Sequence, residues 1–268
     1  MYSRNHGNHQ GEPMNTVDTH AVENKVKDMY ERVAQDPHGD FHFEMGRALA
    51  ERLGYSPYEL DRVPAPSMDS FAGVGHHFDL AVLQSGERVL DLGSGSGLDS
   101  FVASLKVGAT GRVVGIDMTD GQLQKANELR QRGGFTNIDY VKGYIDQLPF
   151  EDESFDCVIS NGVINLVANK EETFKEAARV LKPGGRIALS DIVTGVELPH
   201  AIVCNATLWA ACIGGAMHRQ AYQQAIVDAG LSIQVVQPNP QYRFISDQAN
   251  GATRRYEVQS VSLVAVKL

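Results

Sequence analysis

The run Glu87-Arg88-Val89-Leu90-Asp91-Leu92-Gly93-Ser94-Gly95-Ser96-Gly97 constrains this chain more than any other stretch. A short apolar segment ends in three glycines at alternate positions. Leu98, Phe101, Val102 and Leu105 then recur at helical spacing. This is the pattern of a strand turning tightly into a helix. Without Cβ atoms, the glycines let the backbone adopt positive φ and approach a ligand closely.

The alternation continues. Residues 112–117, 138–142, 155–160 and 186–190 read as further strands. Leu123, Ala126 and Leu129 mark one intervening helix; Phe174, Ala177, Ala178 and Leu181 mark another, which ends at Pro183-Gly184-Gly185. Strands alternating with amphipathic helices imply parallel pairing through right-handed crossovers. The chain is therefore predicted to be α/β, with a Rossmann-like, doubly wound, mostly parallel seven-stranded sheet. Two late strands, 231–236 and 260–266, are expected as an antiparallel edge pair joined by a long polar loop over 238–255.

Ahead of the sheet, Val22, Val26, Met29 and Val33 form one helical stripe, and Phe43, Leu49, Ala50 and Leu53 another that ends at Gly54. Ser56-Pro57 reads as a cap followed by Pro at the first helical position. Residues 198–216 are apolar, contain the single tryptophan, Trp209, and read as a helical cover. The organisation is a flexible tail over 1–20 and an N-terminal helical segment and substrate-side cap over 21–86. A cofactor-binding core follows over 87–192, then the helical cover, edge strands and long loop over 193–268.

Composition narrows the function. The 268 residues carry a formal charge of -9 without a Lys/Arg cluster, which argues against nucleic acid as partner. No apolar run approaches the roughly 18 residues of a membrane span, and the polar N-terminus lacks the apolar region of a secretory signal. Cys157, Cys204 and Cys212 are too few and too scattered for a disulfide framework. A cytoplasmic protein with a small-molecule partner is expected; the oligomeric state stays open.

Asp117 closes the second strand, 20 residues past Gly97, where an acidic side chain can accept hydrogen bonds from ribose hydroxyls. A dinucleotide fingerprint would want a small residue at position 98, where this chain has Leu98. The glycine run alone leaves the choice of cofactor open. Taken with residues 143–150 (GYIDQLPF) and 179–185 (RVLKPGG), it closely resembles class I S-adenosylmethionine (SAM)-dependent methyltransferases. The resemblance implies SAM as cofactor, with Asp91, Gly93, Gly95 and Gly97 at its methionine end and Asp117 at the ribose. It also implies Met118 against the adenine, Ile145 and Asp146 at the adenine edge, and Asn161 where cofactor and acceptor meet.

Residues 51–56 (ERLGYS), 160–166 (SNGVINL) and 212–216 (CIGGA) narrow the resemblance to the arsenite methyltransferases. By that resemblance, As(III) is held by cysteine thiolates at three places. Here these read Gly73-Val74-Gly75, Asn161-Gly162-Val163 and Ala211-Cys212-Ile213. Two cysteines are replaced, by Val74 and Gly162, and Cys212 alone remains. Soft-metal affinity comes from several thiolates acting together. Cys204, eight residues before Cys212, would stand about 12 Å away along a helix. Arsenite is therefore not the expected acceptor.

An organic nucleophile bearing a hydroxyl or an acidic carbon needs a base, and histidine is the usual choice near neutral pH. His76 and His77, following Val74, are candidates to orient or deprotonate it, with Asn161 and Cys212 as further catalytic candidates. The competing reading packs His77 at a helix start and leaves His76 solvated. Pro37 and Gly39 interrupt the set His38, Asp40, His42 and Glu44, so no metal site is expected. The functional expectation is a SAM-dependent methyltransferase acting on a small molecule. The alternatives are methylation of arsenite or another metalloid with external thiols, and a SAM-binding sensor or pseudoenzyme.

Overall fold

The computed structural model describes residues 18–203, 213–245 and 247–268. Most of the expected tail, together with Cys204, Trp209 and Cys212, lies outside the described residues.

The sheet is built from β1 (Arg88–Leu92), β2 (Arg112–Asp117), β3 (Ile138–Lys142), β4 (Phe155–Asn161), β5 (Leu181–Thr194), β6 (Met217–His218), β7 (Leu231–Pro238) and β8 (Gln259–Lys267). Its order is β3-β2-β1-β4-β5-β8-β7, and β6 pairs with the far end of β5. β1 to β5 are mutually parallel, whereas β8 runs antiparallel between β5 and β7. Seven strands form the continuous path, as the alternation predicts; the two-residue β6 is the addition. β1 is central, and its residues from Val89 to Leu92 are buried on both faces, as parallel strands sandwiched between helices require.

One face is covered by α8 (Lys170–Val180) and α10 (Arg219–Asp228). There Phe174, Ala177, Tyr222 and Ile226 pack on Leu90, Val158 and Ile187. The other face carries α6 (Leu98–Val107) and α7 (Asp120–Gly133), with the short helices α2 (Arg47–Leu53), α3 (Pro57–Leu60), α4 (Ala65–Asp69) and α5 (Phe78–Ala81). Leu49, Tyr55, Phe78, Phe101 and Leu129 join its core. The helix α1 (Thr19–Gln35) buries its stripe Val22, Val26, Met29 and Val33, and the Asp18 side chain caps it by accepting from the Ala21 amide at 3.0 Å. Ser56 stands at the N-cap of α3 with Pro57 next to it, but its side chain makes no cap hydrogen bond.

Two expectations change. β5 runs from Leu181 to Thr194, not only over 186–190, because the Pro-Gly-Gly segment continues into the strand. The expected polar loop over 238–255 carries a helix, α11 (Asp247–Tyr256). Its polar composition and Gly251 conceal it in the sequence. Tyr256 and Val258 bury beside Val22 and Val26 of α1, a contact between the two ends of the chain that local pattern does not register. Within the expected cover, α9 (His200–Val203) is helical, and Ile213 and Ala216 are buried.

The strand order runs outward from β1 in both directions, so adjacent loops diverge between β1 and β4. In open α/β sheets a crevice forms there, beyond the carboxyl ends of the strands.

Candidate active site

That crevice is a cavity of about 380 Å³, within the size range of small-molecule sites. The structure brings Asp91, Gly93, Gly95, Gly97, Asp117, Met118, Ile145, Asp146 and Asn161 to its walls. α1 supplies a further wall through Val22, Glu23, Val26 and Tyr30. It is tied down where the Gly121 amide donates to Glu31 at 3.0 Å and the Gln122 side chain donates to the Tyr30 carbonyl at 2.9 Å.

Asp117 is held from two directions. One carboxylate oxygen accepts from the Gly95 amide at 2.9 Å and the other from the Thr119 amide at 2.8 Å. Burial pushes its pKa up while these bonds pull it back. The Thr119 side chain and the Met118 amide also donate to it, and it lines the cavity, where a ligand donor can share its oxygens. Gly95 has φ 51°, and a Cβ built there meets nothing nearer than Gln122 Oε1 at 3.8 Å, so this backbone borders open cavity. At Gly93 a Cβ would instead strike Val163 at 2.5 Å. Ser94 also lines the cavity, and among the described residues its buried hydroxyl has no partner. Such an orphaned donor, a carboxylate on the cavity wall and a backbone cradle fit a nucleoside with a polar tail.

Asp91 is buried and accepts from the Ser100 hydroxyl at 2.6 Å; burial and the nearby Asp99 carboxylate raise its pKa. Asp99 is a site residue that the sequence reading missed. It lines the cavity, and burial raises its pKa to about 6 against bonds from Tyr55 and Asn161. An acid in the first turn of a helix ordinarily reads as a complement to the helix dipole, which masks this one.

Asn161 joins the elements together. Its amide nitrogen donates to Asp99 at 3.1 Å, to the Tyr55 hydroxyl at 3.0 Å and to the Gly75 carbonyl at 3.1 Å; its oxygen accepts from the Val74 amide at 2.8 Å. Segment 73–75 is thereby stitched to the end of β4. Val74 and Gly162, far apart in sequence, meet here: a Cβ on Gly162 would lie 3.1 Å from Val74 Cγ1.

The histidine pair is not brought to the cavity. His77 is fully buried and stacks against Phe78 with ring centroids 4.5 Å apart; among the described residues neither ring nitrogen has a partner. Burial, with His76 and Lys106 adding to it, lowers its pKa to about 3, so it is neutral at pH 7. His76 Nδ1 lies 3.4 Å from Asp79, and its ring meets Tyr55 edge-on at 4.7 Å. Tyr55 therefore separates it from Asp99. His77 packs as the competing reading holds; His76 is largely buried and not solvated, because the Tyr55 and Phe78 rings enclose it. Cys157 is buried in β4 and its thiol is pushed up to about 12 by burial. Among the described residues no three His, Cys, Asp or Glu side chains stand together as metal ligands, and no helix is long and apolar enough to cross a membrane.

A doubly wound sheet with its cavity at the glycine turn after β1 and an acid at the end of β2 is common to nucleotide-binding folds. The antiparallel β8 inserted between β5 and β7 and the family match assign this one to the class I SAM-dependent methyltransferases. Residues 83–230 match the methyltransferase domain family, and the chain belongs to it. It stands near the arsenite methyltransferases. The arsenite methyltransferase of Halobacterium salinarum is 37% identical over 199 residues, covering 74% of this chain and 51% of its own. The human arsenite methyltransferase is 45% identical over 139 residues, 48% of this chain and 37% of its own. The arsenic(III) S-adenosylmethionine methyltransferase of Chlamydomonas reinhardtii superposes with a TM-score of 0.61 at 29% identity, covering 84% of this chain and 74% of that one. The chain spans about half or less of the length of these curated relatives.

Proposed function

We propose that this chain is a SAM-dependent methyltransferase whose acceptor is a small molecule other than arsenite. The single observation that carries the exclusion is the contact between Val74 and Gly162. The family resemblance puts two arsenic-holding thiolates at these positions, and here they adjoin each other without sulfur. One remaining cysteine does not chelate as two or three do.

SAM, when bound, supplies a methyl group made electrophilic by its sulfonium. Asp117 accepts from the ribose hydroxyls, Met118 packs on the adenine, and Ile145 and Asp146 flank the adenine edge. Asp91 and the backbone at Gly93, Gly95 and Gly97 hold the methionine end. Asn161 fixes the border between this half and the acceptor. Methyl transfer is an in-line displacement, so the contribution of the chain is alignment and exclusion of water. Phe71, Val163 and Leu166 on the cavity wall serve the second of these. We assign the activity to the cytoplasm, in keeping with an acidic chain whose described helices include none that crosses a membrane.

The test is to incubate the protein with SAM and either arsenite plus glutathione or a panel of phenols, amines and thiols, following S-adenosylhomocysteine (SAH). The proposal expects SAH with an organic acceptor and background levels with arsenite. Arsenite-dependent SAH formation at a comparable rate would overturn it.

A further inference from the structure

We infer that Asp99 selects the methyl acceptor, and that the acceptor is an uncharged or cationic molecule presenting an N–H, O–H or S–H group to this carboxylate. The inference rests on the methyltransferase reading and specifies its second substrate.

The charge of the cavity is one-sided. Glu23, Asp91, Asp99, Asp117 and Asp146 line it against a single histidine, His20, and among its described lining residues there is no lysine or arginine. The apolar side is formed by Phe71, Ala72, Val163 and Leu166. Segment 204–212, outside the described residues, adds no charged side chain to the sequence of the cover. A carboxylate or phosphate on the acceptor would thus be buried among like charges without a lysine or arginine from the described lining to pair with it, a costly way to desolvate an anion.

Two of these acids, Asp91 and Asp99, are deeply buried, and the Asp99 carboxylate adds to burial in raising the proton affinity of Asp91. The methyl donor brings an ammonium and a sulfonium; in SAH, which lacks the sulfonium, an ammonium held at Asp91 as proposed above would leave Asp99 uncompensated. The hydrogen bonds divide the two carboxylates in the same way. Asp91 is bound to Ser100 within the glycine-run unit. Asp99 is bound on one oxygen by Tyr55 and on the other by Asn161, whose remaining bonds go to Tyr55, Val74 and Gly75. Tyr55 is fully buried and its phenol is held protonated, so it remains a donor. Asp99 therefore faces the cavity as an oriented acceptor, with a lone pair left on each oxygen. A ligand meeting it must bring a proton donor or a positive charge.

The test uses three probes of one size on the wild-type protein with SAH bound: benzylamine, benzyl alcohol and benzoate, titrated by calorimetry near pH 8. Hydrogen bonds to charged groups are the strong ones, so benzylamine and benzyl alcohol are expected to bind at least about tenfold more tightly than benzoate. Asp99→Asn should erase the benzylamine preference by about tenfold and change SAH affinity by less than about threefold. Tyr55→Phe keeps the carboxylate but removes one of its orienting donors, and should lower the preference by a smaller factor. It provides a second measurement if Asp99→Asn does not fold. Benzoate binding equally well, none of the three binding, or an unchanged order in both variants would overturn the inference. So would an Asp99→Asn variant that loses SAH affinity and keeps the order, since Asp99 would then belong to the cofactor. Failure of SAH itself to bind the wild-type protein is seen in the first titration and overturns the methyltransferase reading beneath it.

Discussion

The two halves of the cavity are made differently. The half proposed for the cofactor comes from three strand-ends and the loops that directly follow them: 93–97 after β1, 117–119 after β2 and 143–146 after β3. Asp117 there is positioned by the Gly95 and Thr119 amides of the loops after β1 and β2. The half proposed for the acceptor comes from 71–75 and the end of β4, joined largely through one side chain, Asn161, and from α1, which is tied to α7. Such a division lets positions 74 and 162 vary while the bonds that hold Asp117 stay as they are. The halves are expected to respond separately to mutation, and three measurements bear on that.

The largest effect falls on the cofactor half. Asp117→Ala removes the acceptor for two backbone amides and for the ribose. At roughly 1.5–3 kcal/mol per hydrogen bond to a charged group, SAH affinity should fall by about 100-fold or more in calorimetry. Retention of wild-type affinity would mean that the nucleoside does not lie along β2.

Asn161→Ala should behave in the opposite way. It leaves the Val74 amide, the Gly75 carbonyl and the Tyr55–Asp99 pair without their shared partner, at about 1–3 kcal/mol for each buried group left unpaired. Urea unfolding should show a loss of about 3 kcal/mol or more. The loss of SAH affinity should be at least about tenfold smaller than in Asp117→Ala. Equal losses of SAH affinity in the two variants would break the comparison.

The smallest effect concerns the wall behind the acceptor half, and it depends on pH. His77 titrates near 6.5 when unfolded and at about 3 when folded. Below pH 6.5 the unfolded chain takes up a proton that the folded chain refuses, so stability falls as pH drops through this window. In His77→Leu that loss disappears. The stability difference between variant and wild type should shift in favour of the variant by about 1.4 kcal/mol per pH unit below 6.5, or about 2 kcal/mol between pH 6.5 and 5. A constant difference across this range would show that His77 is protonated in the folded protein and has a partner there.

What could be read in advance follows the same division. Strands β1 to β3 lie where the alternation predicts them, and Gly93 to Gly97, Asp117, Met118 and Asp146 converge on one cavity. These residues sit at fixed offsets from strand ends, and in a doubly wound sheet a strand end is already a position in space. The glycine spacing, the acid closing β2 and the missing cysteines were therefore legible as sequence. Only the folded chain shows that Val74 touches Gly162, that Asn161 binds Asp99, and that His77 is buried behind Phe78 and not in the cavity. It also turns the polar stretch after β7 into a helix, through Tyr256 meeting α1. Each of these is a contact between segments with no fixed offset along the chain. Periodicity and spacing carry information along a segment, whereas burial and long-range hydrogen bonds exist only once the segments have packed.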